Sequence, residues 1–118
     1  MIADLVTRVF ATRNAVHLEH WRIRSGYLHD VLGGLYDDLI DKLDRVVESN
    51  IALFESELPD SLPAQKPVKD ITAHLEDDLM WIGQNRKQLG GKVPAIDNML
   101  QDFEGVYIDA LFKLKNLS

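Results

Sequence analysis

Apolar residues recur every three or four positions along almost the whole chain, the spacing that builds one face of an α-helix. In a first stretch Ile2, Leu5, Val9 and Val16 share a face, and Arg13, His17 and His20 lie on or beside it. A second stretch carries a broad arc running from Leu28, Leu32 and Leu35 through Leu39 and Leu43 to Val46 and Val47. A third turns Ile71, Leu75, Leu79 and Ile82 to one side, with Asp78 among them. A fourth presents Ile96, Leu100, Phe103, Tyr107, Leu111 and Leu114. The pattern predicts four amphipathic helices at about 2–24, 27–57, 68–89 and 94–117.

Local signals punctuate these helices. Ser25-Gly26 separates the first two, with Ser25 as a candidate N-cap. Gly90-Gly91 is a C-cap signal, and Pro94 suits the first turn of a helix. Pro59, Pro63 and Pro67 mark Leu58–Lys69 as a connector. The glycine pair Gly33-Gly34 sits inside the second helix and costs roughly 1 kcal/mol per residue relative to alanine. It predicts a kink, or the close approach of another helix. The sum is an all-α four-helix bundle, one domain over residues 1–118, made of two antiparallel hairpins. The proline-rich connector reaches roughly 40 Å at about 3.3 Å per residue. That spans a helix length, so the second and third helices can run parallel, as in a ferritin-type crossover, or antiparallel.

Composition narrows the chemistry. The chain has no cysteine, so any metal would be held by imidazole and carboxylate. Those donors suit iron, manganese or zinc better than copper(I). The same absence fits a reducing cytoplasm. No apolar run approaches the roughly 20 residues of a membrane span. The opening Met1-Ile2-Ala3-Asp4-Leu5 lacks a basic n-region, which predicts no secretory signal. A net charge of −6 makes the chain a poor generic partner for DNA. The basic pair Lys113/Lys115 reads as complementing a helix C-terminus. There is no glycine-rich phosphate loop, no G-x-S-x-G and no cysteine nucleophile.

Candidate chemistry lies on the first two helices. His17, His20 and Trp21 close the first; His29, Asp37, Asp41, Asp44 and Glu48 run down the second. His29 and Asp44 are about 22 Å apart along a helix. They cannot bind one ion within a chain, although Asp44 and Glu48, one turn apart, can. If imidazoles and carboxylates share a metal, they come from two chains. Two copies of the hairpin packed antiparallel about a two-fold axis would set His20 and His29 of one against Asp44 and Glu48 of the other, giving two equivalent sites. The rival reading is a hydrogen-bonded histidine–carboxylate network that only fixes an interface. His17 reads as a core-edge histidine, Asp37 and Asp41 as solvated or supporting residues. His74, with Asp70 and Asp78 one turn to either side, reads as a local helix-surface pairing before a second metal site. Arg13 and Asp78, both inward, are expected to pair. Trp21 and Trp81 read as core or interface.

The set His20-Trp21, His29, Asp44 and Glu48 resembles the Dps-type ferritins, whose second helix uses the spacing H-x14-D-x3-E. The fuller pattern, H-x2-HW-x7-H followed by Leu35-Tyr36-Asp37-Asp38-Leu39 and by Asp41, Asp44 and Glu48, is most similar to small Dps-like proteins of tailed phages. The ending Leu111-Phe112-Lys113-Leu114-Lys115-Asn116-Leu117 is similar as well. The resemblance implies a ferritin-like fold and a homodimer or larger homo-oligomer, up to a hollow cage. It implies iron, or a similar divalent metal, held by His20 and His29 of one subunit and Asp44 and Glu48 of its partner, with Trp21 beside the site. It further implies ferroxidase and iron-storage activity, and, for a phage protein, the host cytoplasm. The chain departs from the family where Gly33 replaces an acid one turn after the second histidine. The first turn is about three residues shorter than in cellular members, and their lysine-rich DNA-binding tail has no counterpart. A reading from another class is a non-enzymatic phage bundle with a degenerate site, serving oligomerisation or partner binding as a virion component or host-factor binder.

Overall fold

A computed structural model of the 118-residue chain describes residues 1–116. Four helices are present: α1 Ile2–Arg22, α2 Gly26–Phe54, α3 Ile71–Gln84 and α4 Pro94–Asn116. A wide helical turn, Lys87–Gly91, lies between the last two. The expected last helical residue, Leu117, lies outside the described residues. The apolar faces behave as the periodicity predicts. Leu5, Val9 and Val16 from α1 are buried with Leu32, Leu39, Val46, Leu75, Ile82, Leu100, Phe103 and Tyr107 in one core.

Element ends follow local chemistry, with corrections to the predicted bounds. Ser25 caps α2, its Oγ accepting from the Leu28 amide at 3.2 Å. α2 stops at Phe54 rather than near Glu57, because Glu55 adopts the left-handed conformation, φ 51°. α3 begins at Ile71 rather than Val68. Asp70 is its N-cap, accepting from the Ala73 amide, and Pro67 holds the preceding chain extended. The α-helical part of α3 ends at Gln84, short of Leu89. The chain then widens into the Lys87–Gly91 turn, where the Gly91 amide donates to the Arg86 carbonyl at 2.9 Å. Gly90, φ 97°, supplies the left-handed step. A Cβ there would meet Ile96 at 2.9 Å and the Asn50 amide at 3.1 Å. Buried Asn50 braces this turn, donating to the carbonyls of Val46 and Leu89, both at 2.9 Å. Arg86 ties the turn to α4 through Asp97, at 2.5 Å, and Glu104. Its guanidinium holds the Asp97 carboxyl below the usual carboxylate range.

Side-chain pairings fix the directions of the helices. Arg8 meets Asp77 and Asp78 while Thr12 meets His74, so α1 and α3 are antiparallel. Arg45 faces Asp102 and Ser49 faces Met99, so α2 and α4 are antiparallel too. Since α1 and α2 form a tight hairpin, α2 and α3 run parallel. Residues 55–70 therefore cross the length of a molecule whose longest extent is 43 Å. This crossover lies along α1, and Gln65 donates to the Ala11 carbonyl. Around the bundle the order of contact is α1, α2, α4, α3 and back to α1. Among the described residues no helix is long and apolar enough to cross a membrane.

Candidate metal centre

The α1–α2 turn brings His20 and His29 together. Their rings stack at 3.7 Å between centroids and 20° between planes. Each Nδ1 lies 2.6 Å from the other residue's backbone carbonyl. A carbonyl oxygen only accepts, so both Nδ1 atoms carry the proton. In the neutral form of either ring the lone pair is then on Nε2. His20 also lies in the last turn of α1, where carbonyls lack helical partners, so the His29 N–H satisfies one of them. The backbone thus fixes both tautomers in the form that leaves Nε2 free for a ligand or a metal.

Gly33 is what lets the rings sit there. A Cβ at this position would come 2.9 Å from Cε1 of His20. The glycine pair therefore marks close helix approach at its first member, and α2 passes through it without interruption. The space beside Gly33 is filled by the His20 imidazole from the neighbouring helix.

A second aromatic ladder adjoins the pair. His17 stacks on Tyr36 at 4.0 Å and 12°, and packs against Trp21 at 4.2 Å. The Arg13 guanidinium lies 5.1 Å from the Tyr36 ring. Partial burial, then the charge of Arg13 and the proximity of His20, push the His17 pKa below its ordinary value. His17 is thus a packed, neutral histidine at the edge of the core. Trp21 is 66% exposed.

The carboxylates stand apart from the imidazoles. Asp37, Asp41, Asp44 and Glu48 are all exposed along one side of α2. Asp44 and Glu48 border a groove walled by Val6, Phe10, Val47, Leu58 and Leu62. Among the described residues, no three His, Asp or Glu side chains come together in a way that could hold a metal ion. A site with three or more protein ligands drawn from this stripe needs a second chain. No family model, curated protein or solved structure matches this chain.

One polar cluster was not legible as such. Asp78, fully buried, accepts from Arg8 at 3.0 Å, from the Tyr107 hydroxyl at 2.8 Å, and from Thr12. Arg8, not Arg13, is its cationic partner. Arg8 also lies 4.9 Å from the ring of half-buried Trp81. Thr12 has one proton, which goes to the carboxylate, so its oxygen accepts from Nε2–H of His74 at 2.8 Å. The His74 side chain is therefore bonded to α1 and not to the side chains of Asp70 or Asp78, so the local helix-surface pairing expected for it does not form. Burial and the neighbouring Asp78 charge hold the Tyr107 hydroxyl well above its ordinary pKa. The available signal was Thr12, a polar residue on the apolar stripe Leu5, Val9, Val16.

Proposed function

We infer that this chain is a ferritin-like bundle binding a divalent transition metal, iron foremost, at sites shared between two copies. His20 and His29 come from one copy, Asp44 and Glu48 from the other. The observation that carries this reading is the imidazole pair whose Nδ1 protons are committed to backbone carbonyls. Metal-bound histidines characteristically donate their second nitrogen in this way, which fixes ring orientation and tautomer. Two supports stand beside it. The single long crossover is the connectivity of ferritin-type bundles. The exposed pair Asp44 and Glu48, one turn apart, offers two carboxylates, and among the described residues neither is in an ion pair. Iron would be substrate and cargo at such a site. Imidazoles hold Fe(II) and carboxylates favour Fe(III), so the mixed set would favour electron transfer from the ion to dissolved dioxygen. The residues' own roles are plain. His20 and His29 aim lone pairs, Gly33 leaves room for a ring, and Asp44 and Glu48 bring negative charge. Partial burial and the charge of Arg13 disfavour a proton on His17, which limits repulsion beside an incoming cation.

The test is complementation. A variant lacking both imidazoles (His20→Ala/His29→Ala) and one lacking both carboxylates (Asp44→Ala/Glu48→Ala) should each lose saturable binding of Fe(II) or Zn(II) by calorimetry. Mixed in equal amounts and reassembled at random, they should regain one intact site per heterodimer, about a quarter of the wild-type stoichiometry over the whole mixture. Aerobic Fe(II) oxidation should follow the same pattern. No recovery on mixing, or full binding by either variant, would overturn the reading.

A second reading rests on Gly33. With the His20 ring in that space the acid of the Dps pattern has no room, and the histidine pair already clasps α1 to α2 without a metal. This favours a non-enzymatic bundle used for oligomerisation or partner binding, as in a virion component or host-factor binder. It predicts an unchanged melting temperature in chelator and no saturable metal binding.

A further inference from the structure

The crossover leaves a second groove on the far side of Phe10, away from the carboxylate stripe. Pro63 and Pro67 carry no amide donor and hold the residues before them extended, so this strap cannot coil against α1. Its side-chain tie to the helix is Gln65, which donates to the Ala11 carbonyl at 3.2 Å. Ala11 is small, and between it and the strap a hollow of about 350 Å³ stays open. Phe10, Ala11, Leu62, Pro63, Val68 and the ring of His74 form its walls. That volume lies in the range that takes a small organic ligand. Leu62, 44% exposed, is an apolar side chain that an occupant would cover.

Charge selects the occupant. The chain holds 19 acids against 13 bases, yet among the described residues no Asp or Glu lines this hollow. Two donors do line it, Lys66 and Asn14. Among the described residues the Lys66 ammonium is in no ion pair. Asn14 accepts from Arg13 through Oδ1 at 3.2 Å, which leaves the hydrogens of its amide nitrogen to donate elsewhere. The groove across Phe10 and Leu62 is a contrast within the same molecule. It is also apolar, but Asp44, Glu48 and Asp60 border it and no Lys or Arg does.

We propose that the hollow between α1 and the strap binds a small amphiphilic carboxylate. Its apolar body lies against Phe10, Leu62 and Val68, and its head takes the Lys66 ammonium and the Asn14 amide. Ionised acceptors make the stronger hydrogen bonds, so the head fixes orientation while the body supplies contact area. The site is complete within one copy and uses none of the proposed metal ligands, so it stands or falls separately from the metal reading.

The experiment is a titration of the isotope-labelled full chain, in chelator, with sodium decanoate below its micelle-forming concentration, followed by amide chemical shifts. The amides of Ala11, Gln65 and His74 should move and saturate with a single affinity. Decylammonium should leave them in place, because Lys66 repels it and the acid-bordered groove attracts it. Lys66→Glu changes an exposed side chain with no ion pair to lose, and should weaken decanoate at least about tenfold; Lys66→Arg keeps the charge and should bind as the wild type does. Ala11→Leu suits a helix but fills the hollow, and should abolish the shifts with helix content unchanged by circular dichroism. No saturable shift, equal movement with decylammonium, decanoate shifts confined to the Asp44–Glu48 groove, or an affinity indifferent to both Lys66→Glu and Ala11→Leu would overturn the proposal.

Discussion

A methyl group added at Gly33 would press on the His20 ring, whereas one added at Gly34 meets nothing within 4 Å. Helix propensity alone favours alanine at both by about 1 kcal/mol. Gly34→Ala should therefore stabilise the fold by about 0.5–1 kcal/mol. Gly33→Ala should gain nothing or lose up to roughly 1 kcal/mol, because it displaces a ring that makes a hydrogen bond. Urea denaturation of the two variants checks this, and equal stabilities would show that the His20 ring does not need that space. His17 gives a pH signature. Its folded-state pKa lies below the ordinary 6.5, so the unfolded chain binds its proton first as pH falls. Its contribution to stability is complete above pH 6.5 and is lost as pH drops toward the folded-state value. Stability measured from pH 7.5 to 5 should decline, and His17→Gln should flatten part of that slope. The residue scale also shows what a sequence conveys. The glycine pair announced a close approach, and His20 is what approaches. Which arginine would reach Asp78 was not announced, because Arg8 and Arg13 both lie near the inward face of α1. Only the register between α1 and α3 selects between them.

Among the elements α3 is the shortest, and only Leu75, Asp78 and Ile82 of it are buried. A fully buried carboxylate thus stands beside Leu75 and Ile82, and the partly buried Ile71, Leu79 and Trp81, among the residues that dock this helix, through Arg8, Thr12 and Tyr107. Removing it leaves a part-buried guanidinium without its inner partner, and the hydroxyl protons of Thr12 and Tyr107 without their acceptor. Asp78→Ala should cost about 3 kcal/mol or more, and Tyr107→Phe about 1 kcal/mol, both read from chemical denaturation. Equal small losses would show that α3 is held by its apolar residues alone. Helix existence was legible from periodicity in all four cases, since each apolar face repeats over several turns. The ends were less so. Asp70 and Glu55 set boundaries through a side-chain cap and a left-handed step, which a hydrophobic pattern does not register.

For the whole molecule, the decisive unknown in the sequence was direction. A connector able to reach 40 Å permits the third helix to run either way, and the two arrangements bury similar faces. Long-range pairs, Thr12 with His74 and Ser49 with Met99, resolve it in favour of parallel α2 and α3. The candidate site was legible as residue types and spacing. Its division into an imidazole end and a carboxylate end followed from the rise of a helix alone. The tautomer lock on His20 and His29 did not, because it depends on carbonyls brought close by the turn.

The Asp78 cluster also has a kinetic consequence. Its bonds to α1, through Arg8 and Thr12, join segments more than sixty residues apart, so they form only after the crossover has closed and the two hairpins have met. Each hairpin is local and can form quickly by itself. These contacts between the hairpins therefore belong to the late side of the folding barrier. Asp78→Asn should accelerate unfolding and leave the refolding rate nearly unchanged in stopped-flow chevrons. A refolding rate that falls by as much as stability does would place the cluster in the nucleus instead. In ordinary conditions this carboxylate is then a latch on the lifetime of the assembled bundle, and not a guide to its formation.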